Sequence, residues 1–225
     1  MNEKKKKDKR EADISINESV MSSDRQKALK NLDRLNRHHV HAVDILGSIG
    51  SGKTTLIQQL VRHLSSTYRV ASIAGDLTTT IDADRIREAG GDVVQINTGG
   101  ECHLSASSVH TILEHMNLDE LDLLFIENVG NLICPSSFPL GTHQRMVVVS
   151  TTEGPYMIVK HPYIFMDASV VVINKMDLAD IMEVDLKSLE SDAIHIKPDL
   201  KVVFTNARTG QGIPDLIKAL DIGVK

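Results

Sequence analysis

The stretch HVHAVDILGSIGSGKTTLIQQLVRHL, residues 39–64, joins a compact apolar run, a glycine-rich loop and an amphipathic segment that opens on Lys53. The first piece has the length and composition of a buried strand, and the last has helical spacing. Between them Gly47, Gly52, Lys53 and Thr54 satisfy G-x-x-x-x-G-K-[ST] in the strand-to-helix setting that gives this motif its meaning. Glycines allow backbone N–H groups to turn inward around phosphate oxygens, and the following helix adds the positive end of its dipole. The backbone from Gly47 through Ser48, Ile49, Gly50, Ser51 and Gly52 to Thr55 is therefore expected to wrap the phosphates of a nucleotide. Lys53 would neutralise the β and γ phosphates, and the Thr54 hydroxyl would ligate Mg²⁺.

Outward from this loop, apolar and amphipathic segments alternate to the end of the chain. RVASIAG, DVVQI, DLLFIENV, RMVVVST, ASVVVINK and LKVVFTN read as further strands, and DADRIREAG, SASSVHTILEHM and PDLIKAL as helices. The pattern predicts a three-layer α/β P-loop NTPase fold, with a mostly parallel central sheet of about seven strands and helices on both faces. Before it, SDRQKALKNLDRLNR (residues 23–37) carries Ala28, Leu29, Leu32 and Leu35 at helical spacing behind a Ser or Asp cap, which predicts a lead-in helix. The expected organisation is a disordered charged tail over 1–22, that helix over 23–37, and a nucleotide-binding domain over 38–225.

Ligands of open parallel sheets bind beyond the carboxyl ends of the strands, and the remaining motifs fall there. NKMD places Asn174, Lys175 and Asp177 after a buried strand, where a carboxylate can accept both hydrogen bonds from guanine N1 and N2. This favours GTP over ATP. TNARTGQGI follows the last strand, and its Asn206 and Ala207 are expected to reach the base, with the Ala207 amide meeting guanine O6. Asp76 and Glu127 each close a strand. We assign Asp76 to Mg²⁺ or the attacking water and Glu127 to an outer contact with the same ion, with Lys53 and Asp76 as the catalytic residues. A strand-end acid can instead merely cap the next helix.

With 225 residues, a net charge of −5 and 24% charged residues, the chain has room for one large domain and shows no basic excess of the kind nucleic acid requires. No signal peptide and no membrane-spanning run can be read, so a cytoplasmic protein is expected. Its two cysteines, in a reducing compartment, would not form a structural disulfide. NTGGECHL sets Cys102 and His103 ahead of a helix, whose dipole is expected to lower the thiol pKa. NVGNLICP sets Cys134 in the loop after the strand that ends in Glu127. Two thiolates and an imidazole are a partial site, which a two-fold dimer would double and complete. The donors suit Zn²⁺ or Ni²⁺. On spacing alone, two buried cysteines and a histidine at a helix start fit equally well. His38, His39 and His41 fall on mixed faces, and ordinary exposed positions suffice for His110 and His115.

Taken together, GSIGSGKTT, GDLTTTIDADRI, NTGGECHL, ENVGNLICP and NKMD resemble the HypB family of hydrogenase nickel-incorporation GTPases, within the signal-recognition/MinD class. The similarity runs from Val40 to the C-terminus, and the Cys-His pair and the later Cys-Pro are its specific parts. The resemblance implies a GTP-gated homodimer that holds Ni²⁺ or Zn²⁺ at an interface site made by Cys102, His103 and Cys134. It further implies nickel delivery to the large subunit of [NiFe] hydrogenase with a HypA-like zinc-binding partner. Bacterial members often carry an N-terminal cysteine cluster or polyhistidine stretch; neither occurs here, so a storage role is not expected. Three rivals stand beside this reading. A urease nickel GTPase normally reads Cys-Pro-His, a GTPase chaperone of a cobalamin-dependent mutase needs no Cys-His pair, and a metal buffer would use the phosphate loop only structurally.

Overall fold

The computed structural model describes residues 22–76 and 80–223; of the tail expected over 1–22, all but residue 22, which is helical, lies outside them. Seven strands, β1 (His41–Gly47), β2 (Val70–Asp76), β3 (Asp92–Asn97), β4 (Leu123–Glu127), β5 (Gln144–Ser150), β6 (Val170–Asn174) and β7 (Lys201–Thr205), form one sheet in the order β3-β2-β4-β1-β5-β6-β7. Every pairing is parallel. All seven coincide with the apolar runs read from the sequence, because a strand covered on both faces needs apolar residues on both.

The helices are α1 (residues 22–37), α2 (Lys53–Leu64), α3 (Ile81–Glu88), α4 (Ala106–His115), α5 (Met157–Lys160), α6 (Pro162–Met166), α7 (Leu186–Ile196) and α8 (Ile213–Ala219). On one face Val43, Ile45, Phe125 and Val148 pack with Leu56, Ile57 and Leu60 of α2 and Leu216 of α8. The other face holds two separate apolar clusters. Leu46, Val147 and Val171 lie with Phe165 of α6 and Leu189 of α7. Ala42, Ile73, Leu124 and Ile126 lie with Leu35 of α1 and Val109 and Leu113 of α4. Between these two clusters runs a seam of buried polar groups, Asp44, Asn128 and Arg145.

Residues 22–37 form α1, and the Asp expected to cap it is used elsewhere. Asp24 Oδ1 and Oδ2 accept from the N–H groups of Ser107 and Ala106 in the first turn of α4. Asp24 thus caps a neighbouring helix, and Ser105 assists by accepting from Ser108 N. Asn31, fully buried, donates from Nδ2 to the carbonyls of Ala106 and Leu140, both at 2.9 Å, while Oδ1 lies 2.8 Å from His110 Nδ1. His110 is therefore a partly buried anchor of α1 rather than an ordinary exposed residue. Gly141 lets the chain pass this close: at φ +84 it faces the Ala28 carbonyl, where a Cβ would collide. Of the four apolar residues read into α1, Leu29 remains 68% exposed.

Candidate nucleotide and metal sites

The loop after β1 folds as a phosphate cradle. Gly50 and Gly52 take positive φ, +76 and +102, and Gly52 has no room for a Cβ because the Asn174 side chain lies against it. Asn174 is buried and ties three segments together. Its Nδ2 donates to Ser51 O (2.8 Å), and its Oδ1 accepts from Thr205 Oγ1 (3.0 Å) and Ala207 N (3.1 Å). The Ala207 amide assigned to guanine O6 is thus engaged by Asn174 in this conformation. Asn206 is likewise turned to its own loop, with Oδ1 accepting from Arg208 and Thr209 N–H. Lys175 adopts a left-handed φ of +58 and donates to Thr152 Oγ1, and Asp177 stands exposed in the turn beyond it.

A cavity of about 490 Å³ opens over this loop, lined by Thr54, Asp76, Asp82, Arg85, Glu127 and Lys175 among others. Lys53 is buried at its edge and donates to the carbonyls of Gly47 (3.2 Å) and Ser48 (3.0 Å). Burial lowers its pKa, against the opposing pull of Glu127, Asp82 and Glu153. An incoming phosphate would replace the two carbonyls as the partner of this ammonium.

Thr54 Oγ1 lies 2.9 Å from Asp82 Oδ1 and 2.8 Å from Glu127 Oε1. A hydroxyl carries one proton, so it can donate to only one of them. The other contact is favourable only if a carboxyl is protonated. Glu127 meets that need: burial pushes its pKa up to about 7, against the nearby Lys53. Its second oxygen, Oε2, is buried with no hydrogen-bond partner. A hydroxyl, two converging carboxylates and a buried unsatisfied oxygen are the donor set of a hard divalent cation, and Thr54, Asp82 and Glu127 fit Mg²⁺ there. Asp76, at the end of β2, lines the same cavity.

Two participants escape a reading by motif. Asp82 opens α3, and Arg85 one turn later donates to Thr55 Oγ1 at 2.9 Å, bringing a cation beside the cradle. In the sequence they stand in GDLTTTIDADRI, one of the stretches of the family resemblance, with no role of their own read for either. Glu153 is closed into a capping box with Ser150, and burial raises its pKa in the neighbourhood of Lys53. STTE, residues 150–153, is the S-x-x-E signature of that box.

On the opposite face two loops meet. Cys134 starts a 3-10 turn, Cys134–Ser137, near enough to Cys102 to raise the pKa of its thiol. Cys102 Sγ lies 3.8 Å from His103 Nδ1, and the His103 ring stacks on Phe138 at 3.9 Å. Cys102 and His103 are thus neighbours and Cys134 lies in an adjoining loop, with Cys102 exposed and His103 and Cys134 half-buried. Among the described residues, no three His, Cys, Asp or Glu side chains of this single chain are grouped so that they could hold a metal ion.

The expected thiol chemistry is corrected. The Cys102 pKa is raised, first by the hydrogen bond with Cys134, then by burial and by the charge of that second thiol. The helix expected to lower it begins at Ala106, with Ser105 as its cap, so its dipole falls off before reaching Cys102. Both loops are tied to the cradle: Asn131 pairs its backbone with Gly47 and donates from Nδ2 to Cys102 O (3.4 Å).

A parallel sheet whose first strand ends in this cradle, with a hydroxyl and acids placed for a cation, defines a P-loop nucleotide-binding protein. The family model for the CobW/HypB/UreG nucleotide-binding domain matches residues 41–204. The chain belongs to that family, on its HypB branch. It is 49% identical over 212 residues to the probable hydrogenase maturation factor HypB of Methanocaldococcus jannaschii, covering 94% of this chain and 96% of that one. The crystal structure of the HypB maturation factor from Archaeoglobus fulgidus superposes with a TM-score of 0.83 at 38% identity, over 89% of this chain and 98% of the other. That of HypB from Helicobacter pylori in complex with nickel gives 0.83 at 32%, over 88% and 93%.

Proposed function

We propose that the protein is a GTP-hydrolysing metallochaperone that carries nickel to the large subunit of [NiFe] hydrogenase during its maturation. The observation that carries this reading is that the loop bearing Cys102 and His103 and the loop bearing Cys134 adjoin and are tied to the phosphate cradle through Asn131. In one chain these are two soft sulfur donors and one imidazole, which suit Ni²⁺ or Zn²⁺ far better than Mg²⁺. A second copy related by a two-fold axis doubles the set and supplies enough ligands for a four-coordinate ion. Nickel is the cargo; GTP with Mg²⁺ is the timer.

Thr54, Asp82 and Glu127 hold the Mg²⁺, Lys53 and Arg85 offset phosphate charge, and Asp76 orients the attacking water. Asp177 selects guanine. Turnover is slow, because the cavity supplies charge stabilisation but its acids are shared with the ion. A HypA-like protein is the exchange partner, and the reaction runs in the cytoplasm without nucleic acid or membrane. The test is Ni²⁺ binding by Cys102→Ala and Cys134→Ala. Each is expected to weaken Ni²⁺ binding by about tenfold or more while leaving GTP affinity intact, whereas Lys53→Ala does the reverse. Undiminished Ni²⁺ affinity in both cysteine variants would sink the reading.

A further inference from the structure

The polar seam between the two apolar clusters joins both halves of the Cys/His site at one carboxylate. Asp44, in the middle of β1, is fully buried. Its Oδ1 accepts from Asn128 Nδ2 at 3.2 Å, and its Oδ2 pairs with Arg145 Nε at 3.3 Å. From there two branches run outward. Asn128 Oδ1 accepts from the N–H of Leu104 (3.0 Å), directly after His103. Arg145 donates from Nη1 to Ser136 O (3.3 Å) and from Nη2 to Phe138 O (3.4 Å), on either side of the segment that follows Cys134 and ends at the ring stacked on His103. One branch holds the Cys102 loop, and the other holds the Cys134 turn.

We propose that Asp44, with Asn128 and Arg145, is a buried clamp that sets the spacing of Cys102 and Cys134 and links it to Glu127. This rests on the metal-carrying reading above and adds the residues that position its ligands. Asn128 directly follows Glu127; Glu127 meets Thr54 of α2, while Asn128 meets Asp44 on the opposite side of the sheet. A movement of the end of β4 when Glu127 takes up Mg²⁺ is therefore delivered to Leu104 through one side-chain amide.

Burial of an ion pair is a poor way to gain stability, since desolvation offsets most of the attraction, and an apolar filling would serve as well. The seam interrupts an otherwise apolar face on β1, β5 and the end of β4, and its side chains reach the backbone of both ligand loops, at Leu104 after β3 and at Ser136 and Phe138 after β4. Asp44, Asn128 and Arg145 are positioning residues; none is a ligand.

The test reads thiol spacing separately from metal binding, using Asp44→Asn, which keeps the shape and removes the charge. Dibromobimane bridges two thiols only when they are near neighbours, each thiolate displacing one bromide. Without metal, Asp44→Asn is expected to bridge Cys102 and Cys134 several-fold more slowly than the unaltered protein. Its affinity for Ni²⁺ alone should fall about tenfold, the usual effect of removing a partner that orients a ligand, and its GTP-analogue affinity should be unchanged. The Ni²⁺ affinity should also lose its dependence on the analogue, a loss that a merely structural role would not produce. If Cys102→Ala leaves Ni²⁺ affinity untouched, the metal reading fails, while slowed bridging in Asp44→Asn still supports the clamp. Bridging and Ni²⁺ affinity both unchanged in Asp44→Asn overturn the clamp. Should that variant not fold, Asn128→Ala and Arg145→Gln each release one branch, and unchanged bridging in both is the overturning result.

Discussion

Burial lifts the Glu127 carboxyl from 4.5 to about 7, which makes the nucleotide site sensitive to protons near neutral pH. Because its folded value lies above its unfolded one, the stability it contributes is fully present below pH 4.5 and is lost as pH rises through 7. Mg²⁺ has the opposite preference, since it needs the ionised form. Below pH 7 the ion must displace a proton, so Mg²⁺ affinity in the nucleotide complex is expected to fall by up to about tenfold per pH unit. Calorimetry in buffers of different ionisation enthalpy would show the released proton, and a flat affinity across neutral pH would refute its assignment to Glu127. Lys53, Thr54 and Glu127 could all be singled out as candidates from the sequence, because motif spacing and strand ends announce them. Asp82 could not, for it reaches Thr54 across 28 residues only once α3 folds back over the cradle. The Cys102 thiol was misjudged for a related reason: its nearest influence is Cys134, which local sequence places in another loop.

At the scale of elements, α1 is part of the domain's own core. Leu35 lies in the cluster of α4 and β4, and Asn31 ties α1 to Ala106 and Leu140. Asn31→Ala leaves two buried carbonyls without these donors and the His110 ring without its partner. A destabilisation of about 2–4 kcal/mol is expected, read as a lower urea midpoint with an unchanged slope. A shift below about 0.5 kcal/mol, the range of an ordinary surface substitution, would mean that α1 is held by its apolar face alone. The helical period of Ala28, Leu32 and Leu35 made this helix legible. Its docking was not, because Asp24, which by sequence suits the cap of its own helix, serves α4 instead. A capping residue in sequence says that some N-terminus needs an acceptor, and only packing says which.

For the whole molecule, the proposed cycle makes a reciprocal demand. If a GTP analogue raises Ni²⁺ affinity by some factor, Ni²⁺ must raise analogue affinity by the same factor, since both bias one equilibrium. Native mass measurement across a metal-by-nucleotide titration is expected to show one Ni²⁺ per dimer and a factor above one in both directions. Independent binding of the two ligands would break the link that runs through Glu127 and Asn128. By itself the sequence determined the parallel α/β fold, the phosphate loop and the three metal-ligand candidates. Alternating apolar runs and a glycine loop are local patterns whose physical consequences do not depend on distant residues. Only the tertiary structure decided that Asp82 joins Thr54, that the Cys102 and Cys134 loops adjoin, and that Asp44 is linked to both of them. Each of those is a contact between segments far apart in the chain, fixed by the order of strands in the sheet and by the burial that this order creates.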